Sequence, residues 1–352
     1  MQDAPGAASG DVMADVFLTL GIETSCDDTG VALLEGERNV LNAALASQVE
    51  DHARWGGVIP ELASRKHQEV LLPLLDGVLE EAGLNLPHQR KPDLVAVTFG
   101  PGLMGSLLVG VMAAKALAQA WDIPIVGVNH IEGHMFANAV AHESFVTPFI
   151  ALVISGGHTE IYHVPRFGTY ELLGKTRDDA VGECYDKVAK LLGLPYPGGP
   201  AVDTLAREGN PDAFSFPVPL SSTGNVEFSY SGLKTAVLTE IRRQEKAGKF
   251  PDLADLCASF QKAAIAALMG KLEIAANKTG TRRIAVSGGV AANSLLREML
   301  KKRDGWEVFM PPATLCTDNA VMIAAAGYNR FTRGFADNLD LTPNPSASLS
   351  GV

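Results

Sequence analysis

Hydrophobic and polar positions along the chain follow two alternating periods. Short apolar runs, typical of buried strands, occur at 16–23, 30–34, 94–99, 123–128, 149–154, 160–164 and 284–286. The stretches at 61–82, 105–120 and 131–141 instead space their apolar residues as one face of a helix does. Pro73 lies inside the first of these helices and predicts a kink there. Strands that alternate with helices predict an α/β fold with mixed or parallel sheets.

Two strand–turn–strand units resemble each other, one at 16–34 and the other at 149–164. Each has an apolar strand, a polar turn of small residues that ends in Thr, and an apolar return strand. A third small-residue turn, Ser287–Asn293, follows a strand and opens a helix. Together they favour a duplicated domain with a ligand in the cleft between the copies. Chance similarity between glycine-rich turns is the alternative explanation.

Composition narrows the function classes. The chain has 352 residues, of which 47% are hydrophobic, so it suits two domains or one large α/β unit. A net charge of −11 argues against a chain that holds nucleic acid strongly by itself. The stretch 234–303 is an exception, because it contains 14 basic and 6 acidic residues. A solvated helix face is the ordinary explanation of such a run.

Cysteine usage and the chain ends predict a soluble, cytoplasmic protein. The four cysteines form no CxxC motif, which suits a reduced compartment. The first 17 residues contain three Asp and no Lys or Arg, unlike a secretory signal. No apolar run is expected to reach the roughly 18 residues of a membrane span. Residues 1–15 and the Asn-, Pro- and Ser-rich residues 336–352 are predicted to be disordered.

The sequence GPGLMG at 100–105 matches the GxGxxG pattern between a strand and a helix. A dinucleotide site would also need an acidic residue at the end of the next strand, to hold the ribose hydroxyls. That strand ends in Val128, Asn129 and His130, and Pro101 removes an amide donor from the loop. Close packing of the strand on the helix is therefore the favoured interpretation.

His130 and His134 are four positions apart, so on a helix they share one face and can bind one metal ion. A zincin protease needs Glu directly after the first His, and that position is Ile131. Glu132 comes one residue later and should point away. A metal site and a pair of capping or core histidines both remain open. A carboxylate would be the natural third ligand of a metal.

The turns at 155–159 and 287–289 expose backbone amides that could cradle a phosphate, although ordinary hairpin turns look the same. Three acidic residues each have an ordinary structural explanation as well. Asp186 suits the first turn of a helix, Asp203 follows a sharp bend, and Asp318 suits an N-cap. Considered singly, each of these structural roles is favoured over a functional one.

The motifs occur together and in a fixed order in one family. The sequence resembles bacterial TsaD, the tRNA N6-adenosine threonylcarbamoyltransferases of the sugar-kinase/Hsp70/actin-like (ASKHA) superfamily, once labelled glycoproteases. The matching segments are GIETSCDDT at 21–29, HIEGH at 130–134, ISGGHT at 154–159, YPGGP at 196–200, FSYSGLKT at 228–235 and VSGGVAAN at 286–293. The resemblance covers about residues 16–335, nearly the whole chain.

The resemblance implies a two-lobed α/β fold of the ASKHA type, with an interlobe cleft and lobes at 16–148 and 149–335. It implies metal binding, to Fe²⁺ or Zn²⁺, by His130, His134 and Asp318. It also implies a set of substrate-binding positions, which are Val153, Ile154, Ser155, Gly156, Gly157, Asp186, Gly199, Asp203 and Asn293. Glu23 and Asp27 lie in the first turn and are catalytic candidates whose role the resemblance leaves less certain.

The implied reaction moves a threonylcarbamoyl group from threonylcarbamoyl-AMP to N6 of adenosine 37 in tRNAs that read codons beginning with A. AMP is already a good leaving group, so direct transfer without a covalent enzyme intermediate is expected. The implied protein partners are a TsaB-like paralogue and a TsaE-like ATPase. The small-residue helix at 105–120 could bind such a partner through Leu107, Leu108, Val111 and Met112, or simply be core.

The tRNA should contact the basic stretch, whose candidate cations are Lys234, Arg242, Arg243, Lys246, Lys249, Arg282, Arg283, Lys301, Lys302 and Arg303. Three rival functions remain open from the sequence. They are a metal-dependent glycoprotease, a small-molecule kinase of the same superfamily, and a scaffold that binds a nucleotide without catalysis.

Overall fold

The apolar runs form two mixed β-sheets, according to a computed structural model that describes residues 16–84 and 90–349. The extension predicted for residues 1–15 lies outside the described residues, as do the last three residues of the predicted tail. The predicted strands and helices are all present, and the mixed α/β class is confirmed.

The first sheet has the strand order β3-β2-β1-β4-β5. Its strands are β1 (Leu18–Glu23), β2 (Asp28–Glu35), β3 (Asn39–Ser47), β4 (Leu94–Gly100) and β5 (Ile125–Asn129). The first three are antiparallel neighbours, whereas β4 pairs in parallel with β1 and β5 in parallel with β4. The accompanying helices are α1 (Val49–Ala53), α2 (Pro60–Glu81), α3 (Met104–Trp121) and α4 (His130–Ala141).

The second sheet has the order β10-β9-β6-β7-β8. Its strands are β6 (Phe149–Ile154), β7 (Thr159–Arg166), β8 (Thr169–Lys175), β9 (Arg283–Ser287) and β10 (Glu307–Phe309). The helices that follow β8 are α5 (Val181–Leu191), α6 (Gly198–Ala206), α7 (Ser231–Lys246), α8 (Leu253–Thr279), α9 (Ser294–Lys301) and α10 (Ala320–Thr332).

The two sheets repeat one topology. In each, an antiparallel three-stranded meander is extended on its first strand by two parallel strands. The duplicated core expected from the similar turns is therefore present. The equivalent turns β1–β2 and β6–β7 lie at the same relative place in the two sheets, where the first strand of each meander ends.

Burial explains why the central strands lack alternation. All six residues of β1 are buried, because α2 and α3 cover one face of its sheet while α10 covers the other. Strand β3 lies at the sheet edge and alternates between exposed and half-buried positions. A strand buried on both faces reads as a continuous apolar run, which is why β1 and β4 were recognisable from sequence.

Helix α10 packs on the first sheet although it follows the second in the chain. Its alanines contact Ala32, Ala96 and Val126 in one buried cluster. The approach to β1 is so close that a Cβ at Gly21 would lie 2.3 Å from the carbonyl oxygen of Ala320. Residues 149–335, predicted as one C-terminal lobe, thus include a helix that completes the core of the N-terminal lobe.

Residues 336–349, predicted to be a disordered tail, lie along the edge of the N-terminal lobe. The amide of Asp337 donates to the carbonyl of Ile125, and its carboxylate accepts from the amide of Gly127 at 2.7 Å. Farther along, Asn344 donates to the carbonyl of Phe99, and Leu349 is buried. Composition favoured disorder, but backbone pairing with β5 and burial of apolar side chains order this segment.

Two helices, α3 and α8, have the length and apolar composition of a membrane span. The expectation that no apolar stretch reaches that length was wrong on this measure. Much of α8 is buried inside the protein, and α3 buries one side against the first sheet. Core packing accounts for the buried part of this apolar composition. The four cysteines form no disulfide, and three of them are buried.

Candidate metal centre and substrate cleft

Two helix N-termini bring the three predicted metal ligands together. Asn129 caps α4 by accepting from the amide of Ile131, so the helix begins at His130 and carries His134 one turn later. Asn319 caps α10, which leaves Asp318 immediately before that helix. The Nε2 atoms of His130 and His134 lie 3.4 and 3.3 Å from the same Asp318 oxygen, Oδ1.

The donor set fits a divalent cation. One donor atom from each of the three residues lies within 4.8 Å of the others. Both ring nitrogens of His134 are buried without a hydrogen-bond partner, which is costly unless another ligand satisfies them. Two imidazoles and one carboxylate suit Fe²⁺ or Zn²⁺ and leave coordination positions open.

The electrostatics of the centre also favour a bound cation. Burial would lower the pKa of His130, but the charges of Asp318 and Glu23 hold it well above its usual value. Burial likewise would raise the pKa of Asp318, yet the two histidines hold it well below. Burial lowers the pKa of His134, which keeps that imidazole neutral and able to ligate. Two desolvated carboxylates therefore attract positive charge to this point.

Glu23, at the end of β1, contacts His130 on the side of the ring opposite Asp318 and orients that ring. Its fully buried carboxylate accepts from the amide of Ser25 and the hydroxyl of Thr98, each at 2.5 Å. Its Oε2 also lies 3.2 Å from Nδ1 of His130, which leaves Nε2 of that ring free to face Asp318. This is the carboxylate–histidine arrangement that holds metal-ligating imidazoles in place. Glu23 is therefore placed to orient His130, and its carboxylate accepts three hydrogen bonds from within the protein.

The first turn adds two acidic groups that face Asp318. Burial raises the pKa of Asp27, although a hydrogen bond from Cys26 opposes the shift. Burial raises the pKa of Asp28 to about 7, and its Oδ1 has no hydrogen-bond partner. The sequence had singled out Asp27 but not Asp28. Burial and the charges of Asp27 and Asp186 raise the pKa of Tyr196, which precedes the Pro-Gly-Gly bend.

The turn between β6 and β7 supplies exposed backbone amides beside the metal centre. Val153 and Ile154 are buried in the strand, so only their backbone can reach a ligand, whereas Gly156 and Gly157 are exposed. The third turn meets this one closely: Gly288 has a φ of 90°, and a Cβ there would lie 2.3 Å from the carbonyl oxygen of Ile154. The predicted phosphate cradle and the third turn thus form one continuous lining.

His158 ends the same turn and faces the metal centre. Its ring centroid lies 6.4 Å from that of His130. Burial, together with the nearby charge of His130, lowers the pKa of His158 to about 4, so its imidazole is neutral at neutral pH. The residue was part of the quoted motif, but sequence reasoning gave it no role.

Asp186 and Gly199 meet at the start of α6. An oxygen of Asp186 accepts from the amide of Gly198 at 2.7 Å, which fixes the Pro-Gly-Gly bend against α5. The structural explanation of Asp186 as a first-turn charge was wrong in detail, because the carboxylate holds a different helix. Gly199 is half-buried beside it.

Asp203 and Asn293 contact each other directly. Oδ1 of Asp203 accepts from Asn293 at 3.2 Å and from the hydroxyl of Ser294 at 2.7 Å. The Asn293 amide also donates to Gln261 at 2.7 Å, while its oxygen caps α9. Sequence reasoning missed Gln261 and Ser294, because a polar residue on a helix interior carries no spacing signal. The segment from Gly288 to Asn293 joins this network to the metal side of the cleft.

Glu132 points away from the ligands, as the HIEGH spacing predicts. Its fully buried carboxylate accepts from the hydroxyl of Tyr170 at 2.6 Å and from Arg330 at 3.1 Å. Those contacts tie α4 to β8 and to α10. Glu132 is thus unavailable as the general base of a zincin protease.

Several known proteins are similar to this chain in sequence, and others are similar to it in fold. The profile of TsaD, described as tRNA N6-adenosine threonylcarbamoyltransferase, matches residues 39–325. A tRNA N6-adenosine threonylcarbamoyltransferase of Anaeromyxobacter dehalogenans (strain 2CP-C) is 50% identical over 334 residues, which are 94% of this chain and 99% of the relative. One from Dictyoglomus turgidum is 47% identical over 336 residues, or 95% and 99% of the two chains.

Two solved structures of low sequence identity have the same fold. HypF of T. kodakarensis superposes with a TM-score of 0.61 at 16% identity, covering 91% of this chain and 48% of HypF. Component A of (R)-2-hydroxyglutaryl-CoA dehydratase from Acidaminococcus fermentans gives 0.52 at 16% identity, covering 90% and 99%. These likenesses concern the overall α/β fold alone.

Replacing Glu23 by Gln should weaken metal binding by about 10- to 100-fold, because the orienting charge behind His130 is lost. The measurement is competition for Zn²⁺ against a chromophoric chelator. Glu61→Gln is the control, since that exposed carboxylate pairs only with Arg65 on α2. Equal affinities for the Glu23 variant and the control would contradict the supporting role of Glu23.

Proposed function

Because this chain belongs to the TsaD family of tRNA N6-adenosine threonylcarbamoyltransferases, we propose that it performs that transfer through the cleft described above. The threonylcarbamoyl group of threonylcarbamoyl-AMP goes to N6 of adenosine 37 in tRNAs that read codons beginning with A, and AMP is released. The observation that supports this most is the two-His, one-Asp donor set beside an exposed glycine turn. We place the activity in the cytoplasm, which suits four unpaired cysteines.

The protein has to contribute little covalent chemistry to this reaction. The leaving group is activated in advance, so the chain has to hold two substrates in line and neutralise developing charge. The Ser155–Gly157 amides would hold the phosphate and threonylcarbamoyl end. Asp186, Gly199, Asp203 and Asn293 would hold the sugar and base of the adenylate. Direct transfer needs no nucleophilic side chain.

His130, His134 and Asp318 would hold the metal ion, which we propose to be Fe²⁺ or Zn²⁺. Such a cation supplies a Lewis acid beside the reacting group. Glu23 keeps the imidazole of His130 in its ligating orientation. Asp27 and Asp28 lie on the same side of the cleft, where their carboxyl groups can contact the incoming nucleotide.

The test is transfer from synthetic threonylcarbamoyl-AMP to unmodified tRNA, followed by nucleoside analysis for threonylcarbamoyladenosine. The complete mixture contains this chain, a TsaB-like paralogue and a TsaE-like ATPase. His134→Ala should reduce the rate at least 100-fold, since a neutral ligand of the metal is lost. A His163→Ala variant serves as control, because that histidine pairs with Glu171 on the sheet surface.

No product from the complete wild-type mixture would refute the proposed function. Full activity of His134→Ala would refute the part played by the metal centre and would favour a scaffold with catalysis elsewhere. Substrate-dependent ATP hydrolysis driven by a sugar, with no modified tRNA, would favour the kinase alternative.

Helix α3 offers a surface for the TsaB-like paralogue. Its sequence-predicted partner residues divide into two groups, because Leu107 and Val111 are buried in the core. Leu108 and Met112 are exposed and continue a stripe that begins at Met104, with successive members four residues apart and about half exposed. An apolar stripe of this kind on a helix suits a partner helix.

Met112→Asp should therefore weaken binding of the TsaB-like paralogue by about 30-fold or more, the loss of roughly 2 kcal/mol expected at an interface hot spot. Titration calorimetry with the purified paralogue measures it. The control is Leu253→Asp, which places the same charge on an exposed apolar position at the start of α8. Unchanged affinity for Met112→Asp would exclude this face.

The tRNA surface can be narrowed within the basic stretch. Five of its ten candidate cations are in ion pairs: Lys234, Arg243, Arg283, Lys302 and Arg303. Arg242, Lys246 and Lys249 are exposed and have no ion-pair partner among the described residues. These three lie together at the end of α7 and just after it. We propose that this group contacts the tRNA backbone.

Lys246→Glu should raise the KM for tRNA about 3- to 10-fold and reduce the slope of log affinity against log salt by about one unit. The KM for threonylcarbamoyl-AMP should not change. Lys302→Glu carries the same change of net charge at a cation already paired with Glu298. Identical salt slopes for wild type and Lys246→Glu would mean that tRNA binds elsewhere.

A further inference from the structure

His158 is held rigidly at the end of the turn between β6 and β7. The amide of Ser155 donates to the carbonyl of His158 at 2.8 Å. In return, the amide of His158 donates to the hydroxyl of Ser155 at 3.2 Å. The next residue, Thr159, accepts from the amide of Val181 at the start of α5. The backbone that carries the imidazole is thus fixed on both sides.

The imidazole itself is uncommitted. It is half-buried, and no side chain or backbone group of the described residues forms a hydrogen bond with it. Its ring lies near His130, at 6.4 Å between centroids, but outside the set of three close donors. The ring therefore lies near the histidine ligands, on the turn that also carries Gly156 and Gly157, and its nitrogens form no hydrogen bond with the described residues.

The proposed transfer requires a group of this kind. When N6 of adenosine attacks the carbamoyl carbon, the nitrogen becomes strongly acidic and must lose a proton, so even a weak base suffices if it is in reach. Two buried carboxylates close to the histidine ligands are engaged. Glu23 accepts from Ser25, Thr98 and His130, and Glu132 accepts from Tyr170 and Arg330.

We propose that His158 touches the reacting centre and accepts the N6 proton during transfer, an inference that rests on the proposed function. The N6–carbon bond forms, and the bond between the carbamoyl carbon and the phosphate oxygen breaks. The electron pair of that bond leaves with AMP, and the amine proton passes to the neutral imidazole, which later returns it to water. His158 is then a catalytic residue of the reaction, distinct from the ligands beside it.

Two variants separate this role from a structural one. His158→Gln and His158→Ala are compared in the reconstituted assay for kcat, for the KM of each substrate, and for bound metal. We expect kcat to fall about 10²- to 10⁴-fold in both. Metal content and the KM for threonylcarbamoyl-AMP should stay within about threefold of wild type, because neither the ligands nor the turn amides change.

Chemical rescue supplies a readout that would not change if the role of His158 were purely structural. Added imidazole should restore part of the rate of His158→Ala, since a free base can occupy the vacated space, and should not restore His134→Ala. His163→Gln, on the outer part of the same hairpin, is the matched histidine control with wild-type kcat.

Wild-type kcat in either His158 variant would overturn the proposal. So would a loss of activity that is matched by loss of metal, because His158 would then support the ligands instead of meeting the substrate. Either result leaves the proposed function intact, provided that the wild-type protein modifies tRNA in the same experiment. Failure of the wild-type protein would instead refute the function on which the proposal rests.

Discussion

A desolvated carboxylate placed against two imidazoles is the constraint on which the rest of this structure depends. Asp318 is half-buried, and because His130 and His134 face it the pKa of its carboxyl is held well below its usual value; a cation shared by the three residues would satisfy all of them. The two elements that carry these residues, α4 and α10, pack directly on each other. Helix α10 must therefore return from the far end of the chain to the first sheet, which explains the alanine-rich contact surface and the glycine at position 21.

The duplicated topology converts that contact into a cleft. Equivalent turns of the two sheets end beside the metal ligands, one carrying Glu23 and Ser25 and the other carrying Ser155 and His158. The β1–β2 turn supplies acidic side chains, whereas the β6–β7 turn supplies backbone amides. One topology, used twice, thus presents opposite electrostatic characters on the two turns that border the histidine ligands.

The net charge of the chain conceals an uneven distribution of acidic and basic residues along it. The −11 balance limits how strongly the chain holds RNA by itself, and half of the candidate cations in the basic stretch are already neutralised by ion pairs. Three of the five candidate cations that have no ion pair among the described residues, Arg242, Lys246 and Lys249, lie at one end of α7. A small basic patch on an acidic protein suits weak contact with RNA, and α3 separately exposes a stripe of apolar side chains.

The sequence by itself determined the elements and the family, because buried strands, helix faces and ordered motifs are local signals. It favoured a duplicated core through its similar turns, and its resemblance to the family implied the three metal ligands. It also predicted that Glu132 points away, since an i to i+2 spacing on a helix reverses the direction of a side chain. Only the tertiary structure decided which residues those local signals bring together. Three contacts join residues that are distant in the chain. They are the packing of α10 and residues 336–349 on the first sheet, the hydrogen bond between Asp203 and Asn293, and the approach of His158 to His130. Those contacts depend on the burial and geometry of the assembled lobes, which no spacing along one segment records.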